Sequence, residues 1–340
     1  MVLGPEGSIN LLASSPQSGT TLVRLLADGS ADAAFGEGGL VTLPSDDLEG
    51  YTLTAQPDGK LVVGGNHEIN DYNQEAAFAR LGLDGKLDSS FGEGGVASFP
   101  FGGGSLSVRN VFAVGDRVLA LGAYGGDAVA LRLRPDGALD TDFHAPDGLA
   151  VYDPDLVPET FGQRGLLRGG YARPDGTFYG CGFVRYPGGY EVHPDSLVLR
   201  YQPDGQPDLA FGDGGAKRIV YGIDDCTGQP RQSQCETIAE APDAKVVMAG
   251  VSATGGRLFV ARLLPDGGLD PSFGQAGFFA QPTAAVQATD VLVFADGSLL
   301  VGALALQSAA TPYLVRITAQ GTLDLTFGEG GVYALGPETV

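Results

Sequence analysis

The sequence predicts an all-β fold, a six-bladed β-propeller of four-stranded antiparallel blades, on three observations. One phrase recurs six times: Arg, three residues, Asp-Gly, two residues, Asp, two residues, Phe, as in ARLGLDGKLDSSF at 79–91 and ARLLPDGGLDPSF at 261–273. Its Phe residues, Phe35, Phe91, Phe143, Phe211, Phe273 and Phe327, follow at intervals of 56, 52, 68, 62 and 54, a period that suits one propeller blade per copy. Ahead of each copy runs a second signature, a tight turn between β-rich segments, as in QPDGKLVVGG at 56–65 and RPDGTFYGCG at 173–182. Such a turn between short apolar runs reads as a β-hairpin.

The elements follow in order from these anchors. The hairpin supplies strands A and B. Strand C ends at the recurring Arg, for example Ala76–Leu81, and strand D follows the Gly pair, for example Val96–Phe99. Six such blades, at approximately 1–44, 45–100, 101–153, 154–222, 223–282 and 283–340, account for the chain as one domain, 1–340. The 54 glycines and 21 prolines are then turn residues rather than a sign of disorder.

Antiparallel order puts the A–B and C–D turns at one end of a blade and the B–C and D–A connections at the other. The first set barely changes in length between copies and reads as structural. The second carries every long insertion: Asn66–Gln74, Asp153–Gly165, Phe183–Ser196 and Asp224–Glu236. Loops that vary on a rigid scaffold are where function is expected, so the working face is placed at the B–C and D–A end.

The paired signatures, PDGK followed by RLxxDGxLDxxFGxGG, resemble the delta-60 repeat, a bacterial β-propeller repeat family of mostly uncharacterised exported proteins, over essentially the whole chain. The resemblance implies a propeller and an export context, and supplies no reaction. Three positions depart from the pattern: His144 follows Phe143 where the others have Gly, Gln320 replaces the turn Asp, and Ala244 replaces a hairpin Gly.

Composition excludes some partners. The formal charge of −21 repels phosphate backbones and anionic lipid unless a basic patch intervenes, and none is visible, so neither nucleic acid nor membrane insertion is expected. No apolar run reaches the roughly 20 residues that span a bilayer. The N-terminal MVLGPEGSIN lacks the features of a secretion signal. Cys226 and Cys235 flank a short polar loop and are the expected disulfide, which implies an oxidising, extracytoplasmic compartment (secreted, periplasmic or cell-surface); Cys181 reads as an inert buried thiol.

The candidate chemistry is sparse. The recurring Arg and the Asp four residues on (Arg24 with Asp28, Arg80 with Asp84 and their counterparts) read as a clamp between strands C and D, the Asp capping its own turn and the Arg donating to turn carbonyls or to that carboxylate; a carbohydrate or calcium site in each copy is the alternative. The second Asp, three residues before Phe, caps a short turn, and the Phe plugs the core. At the start of strand A, hairpin alignment puts Tyr51, Asn110, Arg168, Glu236 and Asp290 near a channel mouth. Glu236, Asp290 and Asn110 could offer hard oxygen ligands to one Ca²⁺, as in lactonase-like propellers, the only cofactor the sequence raises. His67 and His193 share the variable face, and His144 stands apart; no zinc spacing joins them. Tyr186 and Tyr190 of the blade-4 insertion could stack on a sugar or grip a peptide. No serine lies in a nucleophile elbow and no Gly-rich run opens a helix, so no catalytic residue is assigned. The reading is a monomeric interaction scaffold whose variable face, with Tyr51, His67, Asn110, Arg168, Tyr186, Tyr190 and His193, meets a protein or glycan partner. A Ca²⁺-dependent hydrolase or lactonase is the alternative.

Overall fold

The computed structural model describes residues 1–15, 19–43, 48–70, 73–100, 106–152, 164–185, 195–221, 233–252, 256–305 and 311–336. The fold is the expected one, an all-β six-bladed propeller. Blade 1 is β1 (Val2–Leu3), β2 (Ile9–Ser15), β3 (Gly19–Leu25) and β4 (Leu40–Leu43). Blade 2 is β5 (Glu49–Ala55), β6 (Leu61–Asn70), β7 (Asn73–Leu81) and β8 (Val96–Phe99). Blade 3 is β9 (Leu106–Val114), β10 (Arg117–Tyr124), β11 (Asp127–Leu133) and β12 (Leu149–Val151). Blade 4 is β13 (Arg164–Ala172), β14 (Phe178–Arg185), β15 (Asp195–Tyr201) and β16 (Ala216–Ile219).

Blades 5 and 6 share a strand. After β17 (Ser233–Glu240), β18 (Val246–Ser252) and β19 (Arg257–Leu263), β20 (Phe278–Val293) pairs with β19 through Phe278–Ala280 and then with β21 (Leu299–Ala305) through Val286–Val293. It is both strand D of blade 5 and strand A of blade 6. β22 (Pro312–Ile317) and β23 (Val332–Ala334) complete blade 6. No helix among the described residues is long and apolar enough to cross a membrane.

The chain divides into two compact units, one of Met1–Tyr152 with Ala172–Thr177 and Pro203–Gln206, the other of Asp153–Tyr171, Phe178–Gln202 and Pro207–Val340. In each, strands B and C are buried on both faces and so read as near-continuous apolar runs. All seven residues of β15 are buried, and six of seven in β19. Core clusters form where the side chains of one blade meet the next: Phe78, Phe91, Val108 and Val118 in the first unit, Tyr179, Phe211, Ile238 and Met248 in the second.

The repeated phrase is a latch between consecutive copies. In the first unit the guanidinium of Arg24, Arg80 and Arg132 lies over the ring of its own Phe (Phe35, Phe91, Phe143) at 4.2 to 4.9 Å. Its terminal nitrogen donates to a turn carbonyl of the following copy, at Leu83, Pro135 and Pro203 respectively. The second unit repeats this with Arg200 and Arg262, over Phe211 and Phe273, donating to Pro265 and Ala319. All five Phe residues are fully buried. The turn glycine of the next copy sits against each ring. At Gly137 an added Cβ would lie 2.7 Å from the Gly92 nitrogen and 3.1 Å from the Phe91 ring, and its φ of +83° suits only glycine.

Of the two partners expected for the Arg, a turn carbonyl is found and the carboxylate is a different one. Arg24, Arg80, Arg132, Arg200 and Arg262 pair with the Asp eight residues on (Asp32, Asp88, Asp140, Asp208, Asp270) at 2.6 to 2.8 Å, not with the Asp four residues on. The backbone decides it. The N–H of the second Asp donates to the carbonyl of the Arg, as from Asp88 to Arg80 at 2.8 Å, which brings its carboxylate alongside the guanidinium. The first Asp is exposed and accepts from the amide two residues on, as Asp84 does from Lys86.

The three departures from the pattern are tolerated because main-chain atoms make the contacts concerned. His144 N–H donates to the Asp204 carbonyl as the corresponding glycines do, and the Gln320 carbonyl accepts from Gly274, both at 2.7 Å. Ala244 holds its hairpin turn at φ +62°. In the sixth copy Arg316 lies instead over Phe294 at 4.1 Å and donates to the Ser298 hydroxyl.

The disulfide is a correction. Cys235 of β17 is bonded to Cys181 of β14, not to Cys226. Nearness in sequence suggested the first pair; packing of the inner strands of blades 4 and 5 makes the actual one, with Cα atoms 5.7 Å apart and both side chains wholly buried. Cys181 is therefore a cross-link and not an inert thiol. Cys226 lies outside the described residues.

Candidate functional site

Strand A carries a β-bulge near its start, and the extra residue is the candidate site residue. The pairing of β5 with β6 runs Gly50 with Gly65 and then Thr52 with Gly64, leaving Tyr51 as the additional residue. The same shift singles out Arg109 in β9, Glu236 in β17 and Thr289 in β20. Such bulges re-aim one side chain next to a sheet end. In blades 2, 3 and 5 a strand-B glycine permits it: a Cβ on Gly65, Gly122 or Gly250 would fall 1.8 to 1.9 Å from a strand-A carbonyl oxygen. Gly182 has the same relation to the Leu166 oxygen, at 1.7 Å, which puts Arg168 at the equivalent place in blade 4.

In the first unit Tyr51 is 42% exposed and donates its hydroxyl to Glu49 Oε2 at 2.7 Å. Partial burial and the bond to Glu49 push the phenol up to about 12, with Arg109 opposing and Glu68 adding to the shift. Asn66 staples blade 2 to blade 3: its Nδ2 donates to the Leu106 carbonyl at 3.0 Å and its Oδ1 accepts from the Val108 amide at 3.2 Å. His67 is half-buried on the β6–β7 hairpin, opposite Glu75. Asn110 follows the bulge residue and is half-buried, its Oδ1 without a partner among the described residues.

In the second unit Glu236 is half-buried. Burial raises its carboxyl above the ordinary range, while the Arg168 charge and a hydrogen bond with Gln287 work the other way. The strands approach closely here, since a Cβ on Gly169 would stand 2.6 Å from the Glu236 carbonyl oxygen. Arg168 also reaches over the Phe183 ring at 5.6 Å. Asp290 is exposed; its Oδ1 accepts from its neighbour's amide, Val291, at 2.8 Å and from the Thr237 hydroxyl at 3.4 Å.

Tyr51, Arg168 and Glu236 thus occupy the bulge position, whereas Asn110 and Asp290 stand one residue beyond it. In blade 3 Arg109 takes the place, five residues before the turn-opening Val114 as Tyr51 is before Gln56. In blade 6 the place falls to Thr289. Arg109, Thr289, Gln287 and Glu49 are the residues that the sequence reading missed; a constant count of five back from the residue that opens each A–B turn, Val114 and Phe294 here, finds the first two. Among the described residues no group of three His, Cys, Asp or Glu side chains gathers to hold a metal ion. Tyr186, Tyr190 and His193 lie outside the described residues.

Three segments, 56–91, 241–273 and 295–327, match the family described as "Domain of unknown function (DUF5122) beta-propeller". No curated protein matches the chain in sequence. Solved structures of similar fold include a Bacteroides fragilis protein assigned as a 6-phosphogluconolactonase, at 14% identity and TM-score 0.50 over 97% of this chain and 80% of that one. Another is the GH93 α-L-arabinofuranosidase of Fusarium graminearum with arabinobiose, at 12% identity and TM-score 0.50 over 93% and 91%. At these identities the likeness is one of fold. Each family match runs from a strand A–B hairpin to the recurring Phe of the same blade, so three of the six copies are similar to the repeat of that β-propeller family.

Proposed function

We propose that the protein is an extracytoplasmic, non-catalytic binding propeller of the delta-60 repeat type, a monomer that engages a glycan or glycan-bearing partner at the B–C and D–A end of its blades. The observation that carries this reading is the contrast between strand ends. At one end identical groups are committed to the latch in copy after copy. At the other, the bulge presents four kinds of side chain over five blades: Tyr51, Arg109, Arg168, Glu236 and Thr289. A phenol beside a carboxylate, and an Arg–Glu–Gln group, are the mixed planar and polar contacts that carbohydrate hydroxyls and ring faces take up. A propeller of like fold holds arabinobiose, which makes arabino-oligosaccharides the first ligands to try. The Cys181–Cys235 bond supports an oxidising compartment.

The test is an oligosaccharide array followed by calorimetry with and without EDTA. Binding that is unaffected by EDTA and weakened at least tenfold by Tyr51→Ala or Glu236→Gln, with no change in the sugar on prolonged incubation, is the expected result. Release of cleaved sugar, loss of binding with EDTA, or no glycan bound at all would overturn it.

A further inference from the structure

We propose that the open inner edge of β2, in blade 1, binds an extended peptide segment of a partner protein as an added strand, antiparallel to β2 and in line with β1. All seven residues of β2 pair with β3, but β1 meets β2 only through Val2 with Asn10 and Leu3 with Ile9. In blades 2, 3, 5 and 6 strand A covers strand B much further, past the bulge.

The open groups follow from the ladder, because backbone N–H and C=O groups alternate between the two edges of a strand. The Arg24 amide donates to the Gly39 carbonyl and the Arg24 carbonyl accepts from the Asp32 amide, both at 2.9 Å, so Arg24 gives nothing to Asn10 opposite it. Ile9, Leu11 and Ala13 therefore bond to β3, while Asn10, Leu12 and Ser14 turn their N–H and C=O groups to the inner edge. Asn10 meets Val2 there. Leu12 and Ser14 have no backbone partner on that side among the described residues.

The strand lies open to solvent as well. Leu12 is half-buried and Ala13 is exposed, whereas Gly64-Gly65, Leu121-Gly122 and Ala249-Gly250 at the same places are buried beneath their strands A. An unpaired edge is a template for another strand unless charge or proline blocks it, and Leu11-Leu12-Ala13-Ser14 has neither.

The other blades say what fits. Opposite the counterparts of Leu12 stands a short polar residue followed by a buried aliphatic one: Thr52-Leu53, Asn110-Val111, Thr237-Ile238 and Asp290-Val291. The polar side chain serves the next blade, as where Thr52 Oγ1 accepts from the Val111 amide at 3.2 Å. In blade 1, Val2 and Leu12 are only partly buried against the cluster of Leu22 and Leu53, which leaves apolar surface for the aliphatic residue. The partner segment is thus an extended one with Thr, Asn or Asp followed by Val, Ile or Leu, held by main-chain bonds and chosen by that pair.

The experiment is fluorescence anisotropy of the folded chain with a labelled peptide of the β5 sequence, Glu49–Ala55, and with the same peptide carrying Thr52→Pro and Thr54→Pro, which removes the N–H groups that face strand B in blade 2. The first peptide should bind, and the second at least tenfold more weakly. Ser14→Pro deletes an open N–H and no bond to β3, and Ala13→Lys puts a charge on the exposed edge; each should weaken the first peptide at least tenfold. Hydrogen exchange read by NMR needs no variant: the Leu12 and Ser14 amides should exchange fast in the free chain beside slow Leu11 and Ala13, and at least tenfold more slowly with the peptide bound. Equal binding of the two peptides, no binding at millimolar concentration, full affinity in both variants, or Leu12 and Ser14 amides already slow in the free chain, as when a second copy lies on the edge, would each overturn the proposal. Glycan binding stands or falls separately, on Tyr51 and Glu236.

Discussion

Replacing Gly137 by Ala isolates the contact on which copy-to-copy packing depends, because Gly29 occupies the same turn of the first copy at nearly the same backbone angle. Their φ values are +83° and +84°, yet a Cβ on Gly29 meets nothing within 4 Å, while one on Gly137 stands 2.7 Å from the Gly92 nitrogen and 3.1 Å from the Phe91 ring. At both sites the left-handed conformation costs an L-residue about 1–2 kcal/mol, partly offset by the stiffer unfolded chain, for a net loss of about 1 kcal/mol. At Gly137 the methyl must also push aside the Gly92 N–H that donates to the Asp136 carbonyl at 2.8 Å, and unseat a fully buried ring. Overpacking of this kind adds about 1–3 kcal/mol. Gly137→Ala should therefore lose about 2–4 kcal/mol and Gly29→Ala about 1. The chain has no Trp, so urea unfolding followed by far-UV circular dichroism is the suitable assay, with the slope checked for constancy. Equal losses, to within about 0.5 kcal/mol, would show that the latch is not what holds these turns.

Other outcomes follow from the same contacts. Denatured without reductant, the chain should expose one thiol, mapped by peptide mass to Cys226. Cys181→Ala should lower stability by about 4 kcal/mol, the chain-entropy value for a crosslink spanning 54 residues; two or three reactive thiols would contradict the bond. Asp270 is held down to about 2: burial opposes its ionisation, but bonds from Ser272 and the Arg262 charge outweigh that. Its contribution is whole above the ordinary value near 3.8 and is lost as pH falls through about 2. The gap of about 2 kcal/mol between parent and Asp270→Asn at pH 6 should thus close between about pH 4 and pH 2, and a gap that stays constant would refute the pairing. Ala244→Gly relieves a φ of +62° and should raise stability by about 0.5–1 kcal/mol; an unchanged or lower midpoint would rule out strain there.

The fold was legible because its determinants are local and repeated. Asp-Gly turns, the Gly pair and the Phe each carry their meaning within a dozen residues, and strand D of blade 2 falls at Val96–Phe99 as read. The Arg partner was not legible, since two aspartates stand within reach along the chain and only the bridge between Leu81 and Leu87 brings the second beside the guanidinium. Nor was the role of the turn beyond it. That Arg80 donates to Pro135 depends on which copy packs next, 55 residues away.

The site was legible in its position along the strand but not in its register, and the reason lies in the bulge itself. A bulge inserts one residue on one strand only, so the side chain that it turns outward is set by the opposing strand. Counting five residues back from the residue that opens the A–B turn, Gln56 in blade 2 and Ala241 in blade 5, reaches Tyr51 and Glu236. In blades 3 and 6 the same count, back from Val114 and Phe294, reaches Arg109 and Thr289, so the expected Asn110 and Asp290 each stood one residue too far along. The charge of the candidate surface changes with that single step, from a neutral amide to a guanidinium that acts on Tyr51. The same logic misplaced the disulfide: eight residues separate Cys226 from Cys235 along the chain, but Cys235 faces blade 4 from β17, where Cys181 of β14 is opposite. In a repeat protein the neighbour across the blade interface, roughly one period away, competes with the neighbour in sequence, and for buried side chains on inner strands it is the interface that wins.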